Sequence, residues 1–335
     1  MPRYDMSTEI AGQRLKSPII IASGVLCFAD VLEKYLDYIG AATTKSTGPV
    51  ERAGNQTPTN GTNLNAMGLP NPGCKAFVEE LAEAYPRFQK AGVKLYVSVF
   101  GDSPEEIAYV TKCVAPVCDG VEDNISCPNI REGEKTGMTV GKDPDLAYQS
   151  VSAVSSVIED YPEKIVIAKQ TPAAHIFDRK LGIDVAQACL DAGADVISGI
   201  NTVPNATDAD IYAEASALST VYGGLSGEPV LPIGLAFIRS MYDGLGPDVP
   251  LIGIGGAKTG EHVVKYVMEG AHAVAIGTGF ENERTPIIRE HIQRIEQEIT
   301  DIIDKKNKIY EQQGIPPIAS LMELRGRIPE RERHE

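Results

Sequence analysis

Eight short apolar runs recur along the chain, and stretches with helical spacing separate them. The runs cover residues 17–23, 40–45, 94–100, 119–126, 164–170, 194–201, 249–256 and 271–279. The helical patterns between them cover residues 28–40, 74–88, 103–114, 143–161, 182–193, 231–245 and 259–270. This alternation predicts βα units on a parallel sheet, and eight strands close such a sheet into a (β/α)8, or TIM, barrel. A doubly wound sheet is the alternative fold, although it is typical of fewer strands.

The rest of the chain extends this pattern without interrupting it. There is no linker-like stretch, composition break or internal repeat, so residues 1–335 are expected to form a single domain with long βα loops. A charged amphipathic pattern at 285–314 predicts an outer helix after the eighth strand, and a shorter helix is expected near 318–327. The charged residues at about 328–335 are expected to form a disordered tail.

Charge and cysteine content narrow the range of partners. The formal net charge is −15 and the basic residues are scattered, which argues against nucleic acid because phosphate binding needs clustered Lys and Arg. No window approaches the roughly 18 to 20 apolar residues of a membrane span, and the N-terminus carries no apolar signal region. The six cysteines show no Cys-x-x-Cys pair and no metal-ligand spacing. We therefore expect a cytoplasmic protein with reduced thiols, no metal and no membrane partner.

Polar residues follow most of the predicted strands at their C-terminal ends, where a barrel of this kind builds its site. The connections after the second, fourth and sixth strands are long, at 46–72, 127–142 and 202–230, as expected of functional loops. Glycine-rich turns follow the last two strands, and backbone N–H groups in such turns bind phosphate. Lys45 and Lys169 end two other strands and would need anionic partners if buried. The pattern indicates a phosphate-bearing ligand, together with an organic anion or a reducible ring that gains negative charge. Glycines that only close turns and solvated surface lysines are the alternatives.

Seven motifs occur together along the chain: "NAMGLPNPG" (65–73), "NISCPN" (124–129), "IAKQTP" (167–172), "INTV" (200–203), "GGLSG" (223–227), "LIGIGGAKTG" (251–260) and "AIGTG" (275–279). In order and approximate spacing they resemble the class 1 dihydroorotate dehydrogenases, which are FMN enzymes on a TIM barrel. The resemblance runs from about residue 15 to about residue 327. It implies FMN-dependent oxidation of (S)-dihydroorotate to orotate in de novo pyrimidine (UMP) biosynthesis. Hydride passes from the ring to flavin N5 while a base removes a proton from the adjacent carbon.

By this resemblance Cys127 is the general base, and Lys45 adds a catalytic charge. A thiol with an ordinary pKa of about 8.5 is only slightly ionised at neutral pH, so the environment, or a rate that rises with pH, must supply the thiolate. Asparagine suits a dihydropyrimidine ring because one amide offers both a donor and an acceptor. The implied substrate contacts are Lys45, Asn65, Met67, Gly68, Leu69, Asn124, Asn129, Asn201 and Thr202.

The resemblance also implies the contacts of the FMN cofactor. Lys169 is the expected counter-ion of the reduced, anionic ring at N1, which is an electrostatic role. Near the isoalloxazine and ribityl we expect Ala22, Ser23, Gly24, Lys45, Ser46, Asn124 and Lys169, and near the phosphate Gly227, Gly255, Gly256, Gly277 and Thr278.

Three positions depart from the family pattern. Thr59 stands where an arginine is usual, Asp123 where Leu or Ile is usual, and Gln170 where Leu is usual. The segments "NAMGLPN" and "SLMELRGR" (320–327) resemble the fumarate-using homodimers, whereas 131–147 and "GGLSG" resemble subunits that pass electrons to an iron–sulfur flavoprotein. We expect a homodimer, and NAD-linked chemistry would need that partner because this chain has no NAD or iron–sulfur motif.

Other functions stay open at this point. A dihydropyrimidine dehydrogenase-like enzyme, or another flavin oxidoreductase acting on a cyclic amide, would share the fold and cofactor. A dihydrouridine synthase would need a basic tRNA surface, which the net charge of −15 opposes. A phosphate-binding aldolase or isomerase would explain the glycine turns and one lysine, but not the asparagines beside a Ser-Cys-Pro loop. A non-catalytic binding barrel would not explain so many ionisable and amide groups at one rim.

Overall fold

Eight parallel strands close into a barrel in the computed structural model, which describes residues 3–25, 32–59, 63–126, 140–280 and 285–328. Each strand pairs with the next one along the chain, and the last returns to the first with Val274 opposite Ile19. All eight predicted strands and the TIM barrel are thereby confirmed. The strands are β1 (Ile19–Ile21), β2 (Ala41–Thr43), β3 (Lys94–Val99), β4 (Gly120–Asp123), β5 (Ile165–Lys169), β6 (Val196–Gly199), β7 (Leu251–Ile254) and β8 (Ala273–Ile276).

The strands are apolar on both faces because both faces are buried, as is usual in parallel sheets. Ile20, Tyr96 and Ile165 pack with one another inside the barrel. Their neighbours Ile21 and Val97 point outward and pack in the layer between the barrel and the helices. This two-sided burial explains why the sequence shows continuous apolar runs rather than alternation.

Helices cover the outside of the barrel, and their starts carry recognisable caps. Ser103 accepts a hydrogen bond from the Glu106 N–H, and Asp143 accepts from two N–H groups of the helix that it begins. The helices are α1 (Cys74–Ala91), α2 (Pro104–Val114), α3 (Pro144–Ile158), α4 (Pro172–Phe177), α5 (Arg179–Asp191), α6 (Leu231–Leu245), α7 (Gly260–Glu269) and α8 (Thr285–Gln313).

Two helical predictions differ from the structure, and one helix was not predicted. Of the helix predicted over 28–40, residues 28–31 lie outside the described ranges, and a 3-10 turn at Glu33–Tyr35 is followed by residues that are not helical. The reason is that the Gly40 N–H already bonds to Ile19 O and so feeds the chain into β2. Near 318–327 the structure has only the 3-10 turn Leu321–Leu324, and α4 was not predicted although Thr171 caps it.

A hairpin that the sequence patterns did not reveal precedes the barrel. Thr8–Ile10 pairs antiparallel with Gln13–Leu15 across a tight turn. Ile10 and Leu15 are fully buried and pack against the residues that begin the barrel strands. The hairpin therefore closes the N-terminal end of the barrel, which leaves the C-terminal end for a site.

Small antiparallel sheets organise the long loops at that C-terminal end. Leu64–Asn65, from the loop after β2, pairs with Gly223–Leu225, and Gly223–Leu225 also pairs with Val203–Ala206 in the loop after β6. Two further pairs, Glu51–Arg52 with Asn71–Pro72 and Ala209–Asp210 with Ala215–Ser216, stiffen the same loops. Among the helices of the described ranges, none combines the length and apolar character that a membrane span requires.

Candidate active site

A cavity of about 440 Å³ lies at the C-terminal ends of the barrel strands. Its wall is built from residues that end or follow every strand except β3, together with residues of the loops after β2 and β6. The volume falls in the range of about 300–1,000 Å³ that is typical of small-molecule and cofactor sites. The position agrees with the rule that a barrel of this type places its site at the strand C-termini.

Most of the residues predicted from the sequence line this one cavity. They come from nine separate stretches of the chain, so the fold, and not sequence proximity, brings them together. The predicted residues on the wall are Ala22, Ser23, Gly24, Lys45, Ser46, Asn65, Met67, Leu69, Asn124, Lys169, Asn201, Thr202, Gly227, Gly255, Gly256, Gly277 and Thr278.

Three predicted residues are not on the described wall. Gly68 lies between two lining residues but packs away from the cavity: its φ is +71°, and a Cβ there would lie 2.9 Å from Asn55 Cγ. The backbone conformation of this loop therefore requires glycine at position 68. Cys127 and Asn129 lie outside the described residues, which stop at Ser126 and resume at Val140.

A hydrogen-bond network links polar side chains that follow β2, β4 and β6. Asn124 Nδ2 donates to Ser46 Oγ at 3.0 Å, and Ser46 Oγ lies 2.9 Å from Ser98 Oγ. Ser126 Oγ donates to Asn124 Oδ1 at 2.9 Å and accepts from Asn201 Nδ2, also at 2.9 Å. Each amide is therefore held by neighbours before any ligand binds, which is the preorganisation that a selective polar site needs.

The two predicted lysines occupy different environments on the wall. Lys169 is 5% exposed, and its Nζ lies 3.5 Å from Oε1 of the equally buried Glu122 on the neighbouring strand. Lys45 is only half-buried, and a Cβ built on Gly24 would lie 3.6 Å from its Nζ. A buried lysine needs a compensating negative charge, and Glu122 provides it beneath the cavity floor.

The glycine turns after β7 and β8 have the geometry of an anion-binding loop. Gly255 and Gly256 have φ values of +120° and +71°, which favour glycine, and a Cβ on Gly256 would lie 2.7 Å from the Leu231 backbone nitrogen. A Cβ on Gly277 would meet nothing nearer than 3.6 Å, so this turn is open toward the cavity wall. Turns of this kind aim backbone N–H groups at phosphate.

Buried polar atoms without partners also point to a ligand. Among the described residues, Thr202 Oγ1 and Ser198 Oγ have no hydrogen-bond partner, and Glu122 Oε1 has only its ion pair with Lys169. Native proteins rarely leave such atoms unsatisfied unless a ligand or water meets them. Thr202 lines the cavity itself. A polar ligand therefore fits this part of the cavity wall.

None of the four described cysteines lines the cavity. Burial raises the pKa of Cys118 to about 12. Burial also raises the pKa of Cys74 to about 11, with a further contribution from Cys113, whose Sγ lies 3.2 Å away. Burial likewise raises the pKa of Cys189. These thiols resist ionisation, so they have the character of structural cysteines.

His175 also has a structural environment. Its Nε2 lies 2.8 Å from Ser240 Oγ, and its ring packs edge-on against Phe237 in the outer layer. No cluster of three His, Cys, Asp or Glu side chains suited to a metal occurs within the ranges that the structure describes.

Two of the three departures from the family pattern lie outside the cavity. Asp123 faces the helices and accepts a hydrogen bond from Ser150 Oγ at 2.7 Å; burial raises its pKa to about 7. Gln170 Nε2 donates to Cys189 Sγ at 3.4 Å. Thr59, by contrast, lines the cavity. Only the threonine therefore bears directly on ligand recognition.

Several residues of the site were not predicted. Glu122 and Ser126 are buried partners of predicted residues, and only the structure reveals those contacts. Ser226 was within reach of prediction, because it lies in the "GGLSG" motif. Apolar parts of the wall carry no sequence signal that separates them from core residues: Val25, Pro58, Ile200, Val230 and Ile254.

A family model described as "Dihydroorotate dehydrogenase" matches residues 5–303 of the chain. Curated relatives named "Dihydroorotate dehydrogenase B (NAD(+)), catalytic subunit" are similar across nearly the same span. The protein from Methanocaldococcus jannaschii is 38% identical over 280 residues, covering 82% of this chain and 87% of the relative. The protein from Pyrococcus furiosus is 35% identical over 327 residues, covering 96% of this chain and 98% of the relative.

The fold also resembles a solved structure. The crystal structure of DHODH from Eimeria tenella in complex with ferulenol matches with a TM-score of 0.75 at 20% sequence identity. The match covers 96% of this chain and 88% of that one. At this identity the likeness concerns the fold alone.

Proposed function

Because the chain belongs to the dihydroorotate dehydrogenase family, we propose that it oxidises (S)-dihydroorotate to orotate in pyrimidine biosynthesis. One observation carries the proposal: residues from separate motifs, with their amides, lysines and glycine turns, line a single cavity at the strand C-termini. The glycine turns alone would suit an aldolase or isomerase. The network of buried amides favours a ring that alternates N–H and C=O groups.

FMN is the proposed cofactor. The turns at Gly255–Gly256 and Gly277–Thr278 would hold its phosphate, and Lys169 would lie against its ring system. When bound, FMN supplies the hydride acceptor for the reaction. The buried Lys169 ammonium is preorganised to stabilise negative charge that develops there, because it cannot be screened by water.

The substrate would be held by charge and by amides. Lys45 would pair with the carboxylate of dihydroorotate, since it is a half-buried cation on the cavity wall, whereas Lys169 is already paired with Glu122. Asn65, Asn124, Asn129 and Asn201 would orient the ring. A polar site of this kind rejects analogues strongly, because a missing partner leaves a buried group unpaired.

Cys127 is the proposed general base. Its thiolate would take the proton from one ring carbon while the C–H bond on the adjacent carbon breaks as hydride, so that a ring double bond forms. Two facts support this assignment: the four described cysteines lie off the cavity, and Ser126, immediately before Cys127, is hydrogen-bonded to two cavity asparagines.

Anaerobic reduction tests the proposal. The purified chain should carry FMN, and dihydroorotate should bleach its visible absorbance. Cys127→Ala should slow bleaching by about 100-fold or more, whereas Cys113→Ser, off the cavity, should not. Faster bleaching by dihydrouracil than by dihydroorotate would instead support a dihydropyrimidine dehydrogenase-like function.

The electron acceptor and assembly are proposed from the relatives. The words "(NAD(+)), catalytic subunit" in the names of the relatives support the proposal that this chain passes electrons to a partner subunit, such as an iron–sulfur flavoprotein. We also propose that the protein works in the cytoplasm. The purified chain should then reduce an artificial dye but not NAD+. We also propose a homodimer of this subunit, which sedimentation would test; a monomeric mass would refute it.

A further inference from the structure

Ser126 joins the two cavity amides that the proposed function assigns to the substrate. It is fully buried and is the last described residue before the structure resumes at Val140. Its hydroxyl donates to Asn124 Oδ1 and accepts from Asn201 Nδ2, both at 2.9 Å. One hydroxyl therefore bridges residues that follow β4 and β6.

Backbone N–H groups fix the direction of every bond in this bridge. The Thr202 N–H donates to Asn201 Oδ1 at 2.8 Å, so Asn201 must turn its NH2 group toward Ser126. The Ser126 N–H donates to Asn124 Oδ1 at 3.4 Å, so Asn124 must turn its oxygen toward Ser126. A backbone N–H cannot accept, and neither amide can flip without losing two hydrogen bonds.

Because these directions are fixed, the hydrogen-bonding groups that each amide can still offer to a ligand are also fixed. Asn124 Oδ1 already accepts from the Ser126 N–H and hydroxyl, and one Nδ2 hydrogen goes to Ser46. Asn124 therefore presents only an N–H to the cavity. Asn201 retains one N–H and one acceptor position.

Resting on the proposed function, we infer that Ser126 is a positioning residue that locks Asn124 as a hydrogen-bond donor toward an acceptor edge of the substrate, a carbonyl or carboxylate oxygen. The hydroxyl must donate and accept at once, which no apolar residue of similar size can do. Without the hydroxyl, Asn124 Oδ1 keeps only the longer bond from the backbone N–H of residue 126, at 3.4 Å, so the amide is held less firmly and can turn its oxygen toward such an edge, which repels it. The role is one of specificity and does not involve contact with the reacting atoms.

Orotate binding to the FMN-loaded protein tests this role without turnover. Its dissociation constant is read from the flavin spectrum for wild type, Ser126→Ala and Ser126→Thr. We expect Ser126→Ala to weaken orotate about tenfold, and Ser126→Thr, which keeps the hydroxyl, to restore affinity to within about threefold of wild type. Bound FMN and the thermal midpoint should match those of Ser240→Ala, which removes an equally buried hydroxyl in the outer layer.

A double-mutant cycle separates positioning from a general packing effect. If Ser126 acts through Asn124, then Ser126→Ala should add little to the loss already caused by Asn124→Ala. Full additivity, or wild-type orotate affinity in Ser126→Ala, would overturn the inference. If the alanine variant does not fold, Ser126→Cys provides the same test, because a thiol is only a weak donor and acceptor. Wild-type orotate affinity in Ser126→Cys would then overturn the inference. A wild-type protein that binds FMN but no orotate would overturn the proposed function itself.

Discussion

The buried ion pair between Lys169 and Glu122 has a structural role, and we propose a catalytic role for its lysine. Glu122 balances the lysine charge within the protein, since both side chains are almost inaccessible to water. Lys169→Gln leaves the carboxylate without its partner, and breaking such a pair typically costs about 3–5 kcal/mol of stability. The same change should slow reduction by dihydroorotate about 100-fold, while FMN affinity falls less. Urea unfolding and rapid-mixing absorbance measure the two effects.

The double variant Lys169→Gln, Glu122→Gln distinguishes the two roles. Removing both charges should recover most of the lost stability, because no buried charge remains unpaired. Reduction should stay slow, since the cation beside the cavity is still missing. Recovery of the reduction rate in the double variant would contradict an electrostatic role for Lys169.

The buried carboxyl group of Asp123 makes the free energy of unfolding depend on pH. Its pKa is raised from 3.8 to about 7, first by burial and next by the charge of Glu122, against the lowering effect of the Ser150 hydrogen bond. The folded pKa exceeds the unfolded one, so the contribution to stability is fully present below pH 3.8 and is lost as pH rises through about 7. Asp123→Asn removes this loss of stability, because an amide does not ionise, and its oxygen can still accept the hydrogen bond from Ser150.

The difference in unfolding free energy between Asp123→Asn and wild type should therefore grow in favour of asparagine between about pH 4 and pH 7 and level off above, reaching a few kcal/mol. Urea midpoints across that range measure it. Asp145→Asn, at an exposed position on α3, is the control for a general effect of this substitution. A flat difference for Asp123→Asn would contradict the account.

At the residue scale, the sequence could identify side chains that belong to motifs but not the groups that hold them. Lys169, Asn124 and Asn201 were predicted from motifs and all line the cavity. The contacts of Glu122 and Ser126 depend on which face of β4 and its following turn points inward, which needs the closed barrel. The roles of Cys127 and Asn129 stay predictions, because both lie outside the described residues.

At the scale of elements, the turn after β7 offers a test of the phosphate site. Gly256→Ala should weaken FMN binding by at least tenfold, because its φ of +71° disfavours alanine and a Cβ would lie 2.7 Å from the Leu231 nitrogen. Gly314 has nearly the same φ, +67°, but nothing lies within 4 Å of a Cβ there. Flavin fluorescence during titration of the apoprotein measures affinity.

Gly314→Ala therefore carries the backbone strain without the steric clash and should bind FMN as wild type does. The difference between the two variants isolates the role of the turn from a general loss of stability. Equal FMN affinities in both variants would count against the turn after β7 as the phosphate site.

The sequence predicted helices and strands wherever an apolar pattern extended over enough residues to identify them. All eight barrel strands and most outer helices were predicted, because repeated apolar faces reflect burial in the fold. The hairpin at Thr8–Ile10 and Gln13–Leu15 was not, since each of its strands has a charged or polar residue between its ends and lacks the continuous apolar run that marked the barrel strands. The helix predicted over 28–40 was wrong beyond Tyr35, where pairing of Gly40 with β1 overrides the apolar spacing.

At the scale of the whole molecule, barrel closure gathers the site. Residues separated by more than 200 positions in sequence, such as Lys45 and Gly277, share one wall because β8 pairs with β1. The N-terminal hairpin fills the opposite end. The barrel therefore has polar residues around its C-terminal end and packed apolar side chains at its N-terminal end. A single-domain chain and a homodimeric assembly stay predictions at this scale.

Anaerobic titration of the FMN-loaded protein with dihydroorotate tests the central claim most directly. The account predicts that dihydroorotate bleaches the flavin absorbance stoichiometrically in wild type and at an unchanged rate in Cys113→Ser, but about 100-fold or more slowly in Cys127→Ala. A purified protein without FMN, or a flavin that dihydroorotate leaves unbleached, would contradict it.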